Sequence, residues 1–229
     1  MARLRSEVTP SVRGRAAVLL ATPSTSTPLR DHWQWRPDWA LDRPCLLWYL
    51  TFEHQPELSQ RAAAAHERLR GVATVDPVPL PWLHLTVDDV GFVDALSPDQ
   101  VDETVASARS AVAGWRPPPL TLGPVAPMED SVVLPVGPPG ELHELRDRLR
   151  TATTTTLGAK ANDALGVFRP HVTLGYLNER CDASTVMRPL ESVTADPVVV
   201  SVPRVTLASV TRRERHYQWT VRGEVPLAG

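Results

Sequence analysis

Two segments of this 229-residue chain repeat one pattern 87 residues apart, and the repetition narrows the folds open to the sequence. They read Trp82-Leu83-His84-Leu85-Thr86-Val87 and Arg169-Pro170-His171-Val172-Thr173-Leu174. Apolar residues alternate with His and Thr at the two-residue period of a strand. Each imidazole therefore shares a face with a hydroxyl, while Leu85, Val87, Val172 and Leu174 point the other way. A chain that builds the same half-buried strand twice is expected to fold as two similar lobes, each contributing one copy.

The pattern between and around the copies is mixed. Residues 45–53, CLLWYLTFE, read as a strand, and 56–71 read as a helix with Leu58, Ala62, Ala65 and Leu69 on one stripe and Gly71 at its end. Leu80 to Val90 reads as the strand carrying the first His-x-Thr. Ser97, Pro98 and Gln100 form a helix start of the capping-box type, ahead of the stripe Val101, Val105, Ala108 and Val112. Two short strands follow, at 120–125 and 131–136, and a third helix buries Leu142, Leu145 and Leu149. Strands are then expected at 167–177, 198–202, 205–210 and 217–221. Short strands interleaved with three helices indicate an α+β class with mixed or mostly antiparallel sheets.

Residues 1–43 differ from the rest. A Ser/Thr/Pro-rich stretch, Thr22 to Pro28, has the composition of a flexible leader, and Trp33, Trp35 and Trp39 follow it closely. Three indole rings in so short a stretch are costly to leave in water, so this part is expected to pack irregularly onto the domain, with base stacking as the alternative.

The composition is that of a folded protein, with 42% hydrophobic and 22% charged residues. Lys+Arg 24 against Asp+Glu 26 gives a net charge of −2, so no global positive field attracts long nucleic acid, and any nucleic-acid ligand has to be gripped locally. Cys45 and Cys181 have no CxxC spacing and give neither a disulfide framework nor a thiolate zinc site. The apolar run from Ala16 to Ala21 is shorter than a signal-peptide core, and no run approaches the ~20 residues of a membrane span. A cytoplasmic location is the expectation.

The His/Thr pairs suit phosphodiester chemistry. An imidazole titrates near neutral pH and can give or take a proton, and a hydroxyl can donate to a non-bridging oxygen. Two histidines from two lobes across a cleft would supply a general base and a general acid. The sequence contains no HExxH, glycine-rich phosphate loop or GxSxG.

At these residues the chain resembles the two-histidine phosphoesterases, and within them the 2′-5′ RNA ligase-like group of RNA 2′,3′-cyclic phosphodiesterases. The resemblance rests on His84-Leu-Thr86-Val followed by Gly91, and on Phe168-Arg169-Pro170-His171-Val-Thr173-Leu. Asp31-His-Trp-Gln-Trp-Arg-Pro with Leu50-Thr-Phe52 is similar to a bacterial subgroup of that family. Asp89-Val90-Gly91 departs from the aromatic and aliphatic pair that usually precedes the glycine.

The resemblance implies one bilobal domain over residues 44–229, with two mostly antiparallel sheets flanked by helices and a central cleft. It implies cleavage of a 2′,3′-cyclic phosphate, on RNA ends or small cyclic nucleotides, without metal, ATP or other cofactor, and ligation as the reverse direction. His84 and His171 would be the catalytic pair, and Thr86 and Thr173 the phosphate-binding residues. Period two places Trp82 and Arg169 on the same face, where Trp82 would stack a base or belong to the core. Arg169 would fork a phosphate or sit in a surface salt bridge. Asp88 continues that face, either orienting an imidazole or facing water. Arg212, Arg213, Arg215 and His216 form a basic cluster expected at a hairpin tip, solvated or gripping RNA. The alternative function is an RNA-end or nucleotide binding module that uses the same cleft without turnover. A monomer with no protein partner is expected.

Overall fold

The computed structural model describes residues 28–34, 39–40, 42–158, 167–193 and 195–228. Trp35, the Ala16 to Ala21 run and most of the Ser/Thr/Pro-rich stretch lie outside them. The architecture is α+β and bilobal, with two antiparallel sheets flanked by helices around a cleft. The four-stranded sheet has the order β12 (His216–Pro226), β11 (Arg204–Arg213), β2 (Cys45–Thr51), β4 (His84–Phe92). The six-stranded sheet runs β10 (Val198–Val200), β5 (Leu120–Leu122), β7 (Ser131–Gly137), β8 (His171–Leu177), β3 (Val75–Pro77), with β6 (Ala126–Met128) also paired to β7. A two-stranded ribbon joins β1 (Pro28–Leu29) to β9 (Cys181–Asp182).

Helices follow from capping and periodicity. In α1 (Pro56–Leu69), Pro56 sets the first turn and Leu58, Ala62, Ala65 and Leu69 are all buried. Gly71, at φ +88°, turns the chain back in a conformation that favours glycine. The α2 helix (Pro98–Ala111) carries the full capping box: Ser97 Oγ accepts from the Gln100 N–H at 3.2 Å, and Gln100 Oε1 accepts from the Ser97 N–H at 3.1 Å. Its buried stripe takes in Thr104, whose hydroxyl is satisfied by Gln100 O at 2.7 Å, whereas Val105 is half-buried. The α3 helix (Pro139–Leu157) runs through the threonine stretch, where Thr154, Thr155 and Thr156 each satisfy their hydroxyl on the carbonyl four residues back. A short α4 (Ala183–Met187) follows β9.

Packing then places the two motif strands. The α2 and α3 helices cover the outer face of the four-stranded sheet, and α1 packs on the six-stranded one. β2 is buried almost throughout because β11 and β4 flank it, and Trp48 donates from Nε1 to Thr153 Oγ1 of α3 at 3.2 Å. β4, the edge of its sheet, lies against β8 of the other. The two His-x-Thr segments consequently meet where the sheets adjoin.

Two expected strand starts move. Leu80–Trp82 forms a 3-10 turn and the strand begins at His84; residues 167–170 are irregular and the second strand begins at His171. Pro81 and Pro170 account for both, since proline gives no N–H to a ladder. Trp82 and Arg169 therefore precede their strands, and strand alternation does not fix their direction.

Candidate active site

A local tether fixes each motif histidine. His84 Nδ1 lies 2.8 Å from Trp82 O, and His171 Nδ1 lies 2.6 Å from Arg169 O. A carbonyl only accepts, so Nδ1 carries the proton in both rings and donates to the carbonyl two residues earlier. Each Nε2 keeps its lone pair, is not fully covered and has no protein hydrogen-bond partner among the described residues. Two imidazoles of one tautomer thus present the same nitrogen from two sheets.

Strand irregularities set what surrounds them. Opposite β2, Trp48 pairs with Asp88 and Tyr49 with Thr86, so Val87 is an extra residue in β4. This bulge reverses the alternation. His84, Thr86 and Tyr49 share the cleft face, whereas Asp88 turns to the helix side and is buried. There it accepts from Arg146 Nε at 3.0 Å and from Arg150 at 2.7 and 3.1 Å. The expectation that Asp88 continues the His84 face or meets water is corrected by that bulge. In β8 a matching bulge falls between Thr173 and Gly175 and returns Tyr176 to the face of His171 and Thr173. Gly175 is required there, since a Cβ would stand 2.6 Å from Val75 Cγ1.

Each half consequently joins a histidine, a threonine and a tyrosine. Tyr49 shares a side-chain hydrogen bond with Thr86, and Tyr176 shares one with Thr173. The Tyr49 ring also stacks on His84 with centroids 4.2 Å apart. Burial pushes both tyrosines well above their ordinary value, so both stay protonated.

Burial acts on the imidazoles in the opposite sense. His84, 6% exposed, is pushed down to about 4, because loss of hydration disfavours the cation; the Trp82 carbonyl opposes this and the nearby His171 adds to it. His171 is lowered by burial as well, against the Arg169 carbonyl and Asp130, which raise it. Both rings are therefore neutral at neutral pH.

An aromatic wall stands on the His84 side. Trp219 of β12 meets His84 at 5.2 Å, Tyr49 at 5.3 Å and Trp82 at 4.6 Å, all edge to face. Trp82 and Trp219 are half-buried and so keep part of their surface open. Arg169 is exposed and ion-paired with Glu129, which also holds Arg30 at 2.8 Å. Tyr49, Tyr176, Tyr217 and Trp219 were not singled out from sequence. For Tyr217 and Trp219 the signal was present, as residues two apart in an expected strand share a face.

The basic cluster lies at the β11–β12 hairpin tip as expected but is divided: Arg213 and Arg215 are exposed, whereas Arg212 and His216 are buried. Arg212 is buried and donates to Trp33 O at 2.7 Å and Trp39 O at 3.2 Å; Arg213 pairs with Asp42 and Arg215 with Asp76. A separate recess of about 600 Å³ beside the end of α1, lined by His66, Arg70, Val75 and Leu80 among others, contains no motif residue. No disulfide joins Cys45 and Cys181. No helix among the described residues is long and apolar enough to cross a membrane.

Known structures share this arrangement of elements. TT0787 of Thermus thermophilus superimposes with a TM-score of 0.59 at 18% identity, over 81% of this chain and 98% of that one. Escherichia coli LigT gives 0.54 at 21% identity in its apo form and 0.56 at 19% complexed with 3′-AMP, each over 82% of this chain and all of LigT. These likenesses establish the fold. No curated protein matches the sequence. The family model of the 2′-5′ RNA ligase superfamily matches residues 56–214, well over half the chain and both motifs, and the protein belongs to that superfamily.

Proposed function

We propose that the chain is a cyclic phosphodiesterase that opens 2′,3′-cyclic phosphates on RNA ends or nucleotides, with His84 and His171 as its acid-base pair. The observation that carries this reading is the pair of Nδ1-tethered rings, each with Nε2 open and a threonine on its face. One Nε2 takes a proton from water as the oxygen attacks phosphorus. The other imidazole, protonated, gives its proton to the ribose oxygen as the P–O bond breaks. Imidazoles supply both transfers, so the reading calls for neither metal nor ATP.

Thr86 and Thr173 bind the non-bridging oxygens. Each threonine hydroxyl, on the face of its histidine, has one O–H to give to a phosphate oxygen. A phosphate anion favours an imidazolium beside it and so raises the proton affinity of the ring that acts as the acid. Trp82 and Trp219 offer a face to a base. Arg169 reaches a phosphate by exchanging Glu129 for it.

Binding without turnover is the second reading, and the observation on its side is that burial depresses both rings. Incubation with 2′,3′-cyclic AMP, with chelator and without ATP, decides between them. Conversion to a nucleoside monophosphate by the wild type, lost in both His84→Ala and His171→Ala, is the expected result. Saturable binding of 3′-AMP with no conversion would replace the enzyme reading by the binding module.

A further inference from the structure

Residues 28–34 add a third imidazole to the wall of this cleft. β1 docks on β9, the Arg30 N–H donates to Glu129 O at 2.8 Å, and the chain then lays His32 between the two sheets. Its ring stacks on Tyr176 of β8 at 4.1 Å, and its Nε2 lies 2.7 Å from the Tyr217 hydroxyl of β12. Nδ1 stands 3.4 Å from Asp130 Oδ2, in the turn between β6 and β7. Arg212 holds the segment by the carbonyls of Trp33 and Trp39. His32 is only 7% exposed, and a polar ring buried to that degree is costly unless its surroundings use it.

Both of its neighbours on the β8 side act on the candidate site. Tyr176 bonds Thr173, and the Asp130 carboxylate raises the proton affinity of His171 while His32 lowers it. The segment also lies outside residues 56–214, so nothing in the family match accounts for this histidine.

We infer that His32 is a positioning residue for the His171–Thr173 half: wedged between Tyr176, Tyr217 and Asp130, it holds the tyrosine that bonds Thr173 and the carboxylate that faces His171. For its effect on turnover, this inference rests on the phosphodiesterase reading above. The charged and titratable groups around His171 are Arg169 ahead of its strand, Asp130, His32, and His84 across from β4.

The test is NMR titration of the histidine Cε1–H signals in the full chain, wild type against His32→Gln, without ligand. Removing His32 is expected to move the His171 midpoint downward, because Asp130 loses the partner that holds it toward that ring, and to leave that of His84 in place; an upward shift would report only the lost charge at position 32 and would overturn the proposal. An unmoved His171 midpoint with a lowered Tm would make His32 a structural anchor and overturn the proposal. In turnover of 2′,3′-cyclic AMP, His32→Gln is expected to lower kcat about tenfold with KM within about twofold. If the wild type does not turn over, the phosphodiesterase reading fails and the titration alone decides the role of His32. Should His32→Gln not fold, Tyr217→Phe removes only the hydroxyl at Nε2. A kcat lowered about threefold supports the proposal and an unchanged kcat refutes it.

Discussion

The depressed proton affinity of His84 makes stability depend on pH in a direction and amount that follow from its burial. In the unfolded chain the ring titrates near its ordinary 6.5, and in the folded protein at about 4. Between those values the unfolded state binds a proton that the folded state does not. This contribution to stability is complete above pH 6.5 and is lost as pH falls toward 4. Linkage gives a loss of about 2 kcal/mol between pH 7.5 and pH 5 and about 3 kcal/mol by pH 4. With a urea m-value of about 2 kcal/mol/M, the first step lowers the midpoint by about 1 M. Other groups titrate over this range, so the measurement is a difference: urea unfolding of the wild type and of His84→Gln at both pH values. The wild type should lose about 1 M more than the variant. Equal losses in the two proteins would show that His84 is hydrated enough to keep its ordinary proton affinity, and the argument from burial would fail.

Three further outcomes follow from the same geometry. Turnover requires one neutral and one protonated imidazole, and both rings are lowered, so kcat/KM for 2′,3′-cyclic AMP should peak on the acid side of pH 6.5; a maximum above pH 7 would contradict it. Trp219→Ala removes the ring that spans Trp82, Tyr49 and His84, and should raise KM about tenfold with a smaller effect on kcat, read by steady-state kinetics. Asp88→Asn leaves Arg146 and Arg150 without their buried carboxylate and should cost about 3 kcal/mol in denaturant unfolding, although Asp88 lies on the far side of β4 from the cleft.

How far the sequence could be read depended on the range of the forces involved. Helix starts were plain, because Ser97 and Gln100 satisfy one another within four residues and Pro98 stands at the first helical position. The two His-x-Thr strands were plain because alternation is a local property of a half-buried strand. The bulges were not. Whether Val87 and the residue after Thr173 stand out of register depends on β2 and β7, distant in sequence, and those two slips send Asp88 away from the site and bring Tyr176 into it. The strand starts were overrun because Trp82 and Arg169 keep the alternation while Pro81 and Pro170 end the ladder. The hairpin tip carrying the basic cluster was legible, but charge density in a sequence says nothing of burial, and Arg212 lies under two tryptophan carbonyls.

The tethers at Trp82 O and Arg169 O carry a consequence for genetics. In many acid-base sites a carboxylate side chain selects the histidine tautomer, and a single codon change can remove it. Here the selecting acceptor is main chain, which every amino acid supplies. Saturation mutagenesis at positions 82 and 169 would retain the acceptor in every clone, and a scan would score neither position for tautomer choice. Backbone chemistry reaches it: an ester in place of the amide that follows residue 82 weakens that carbonyl as an acceptor and leaves every side chain in place, whereas after residue 169 the nitrogen belongs to the ring of Pro170. Tautomer choice in each half is therefore a property of three consecutive backbone units, insulated from codon-level variation.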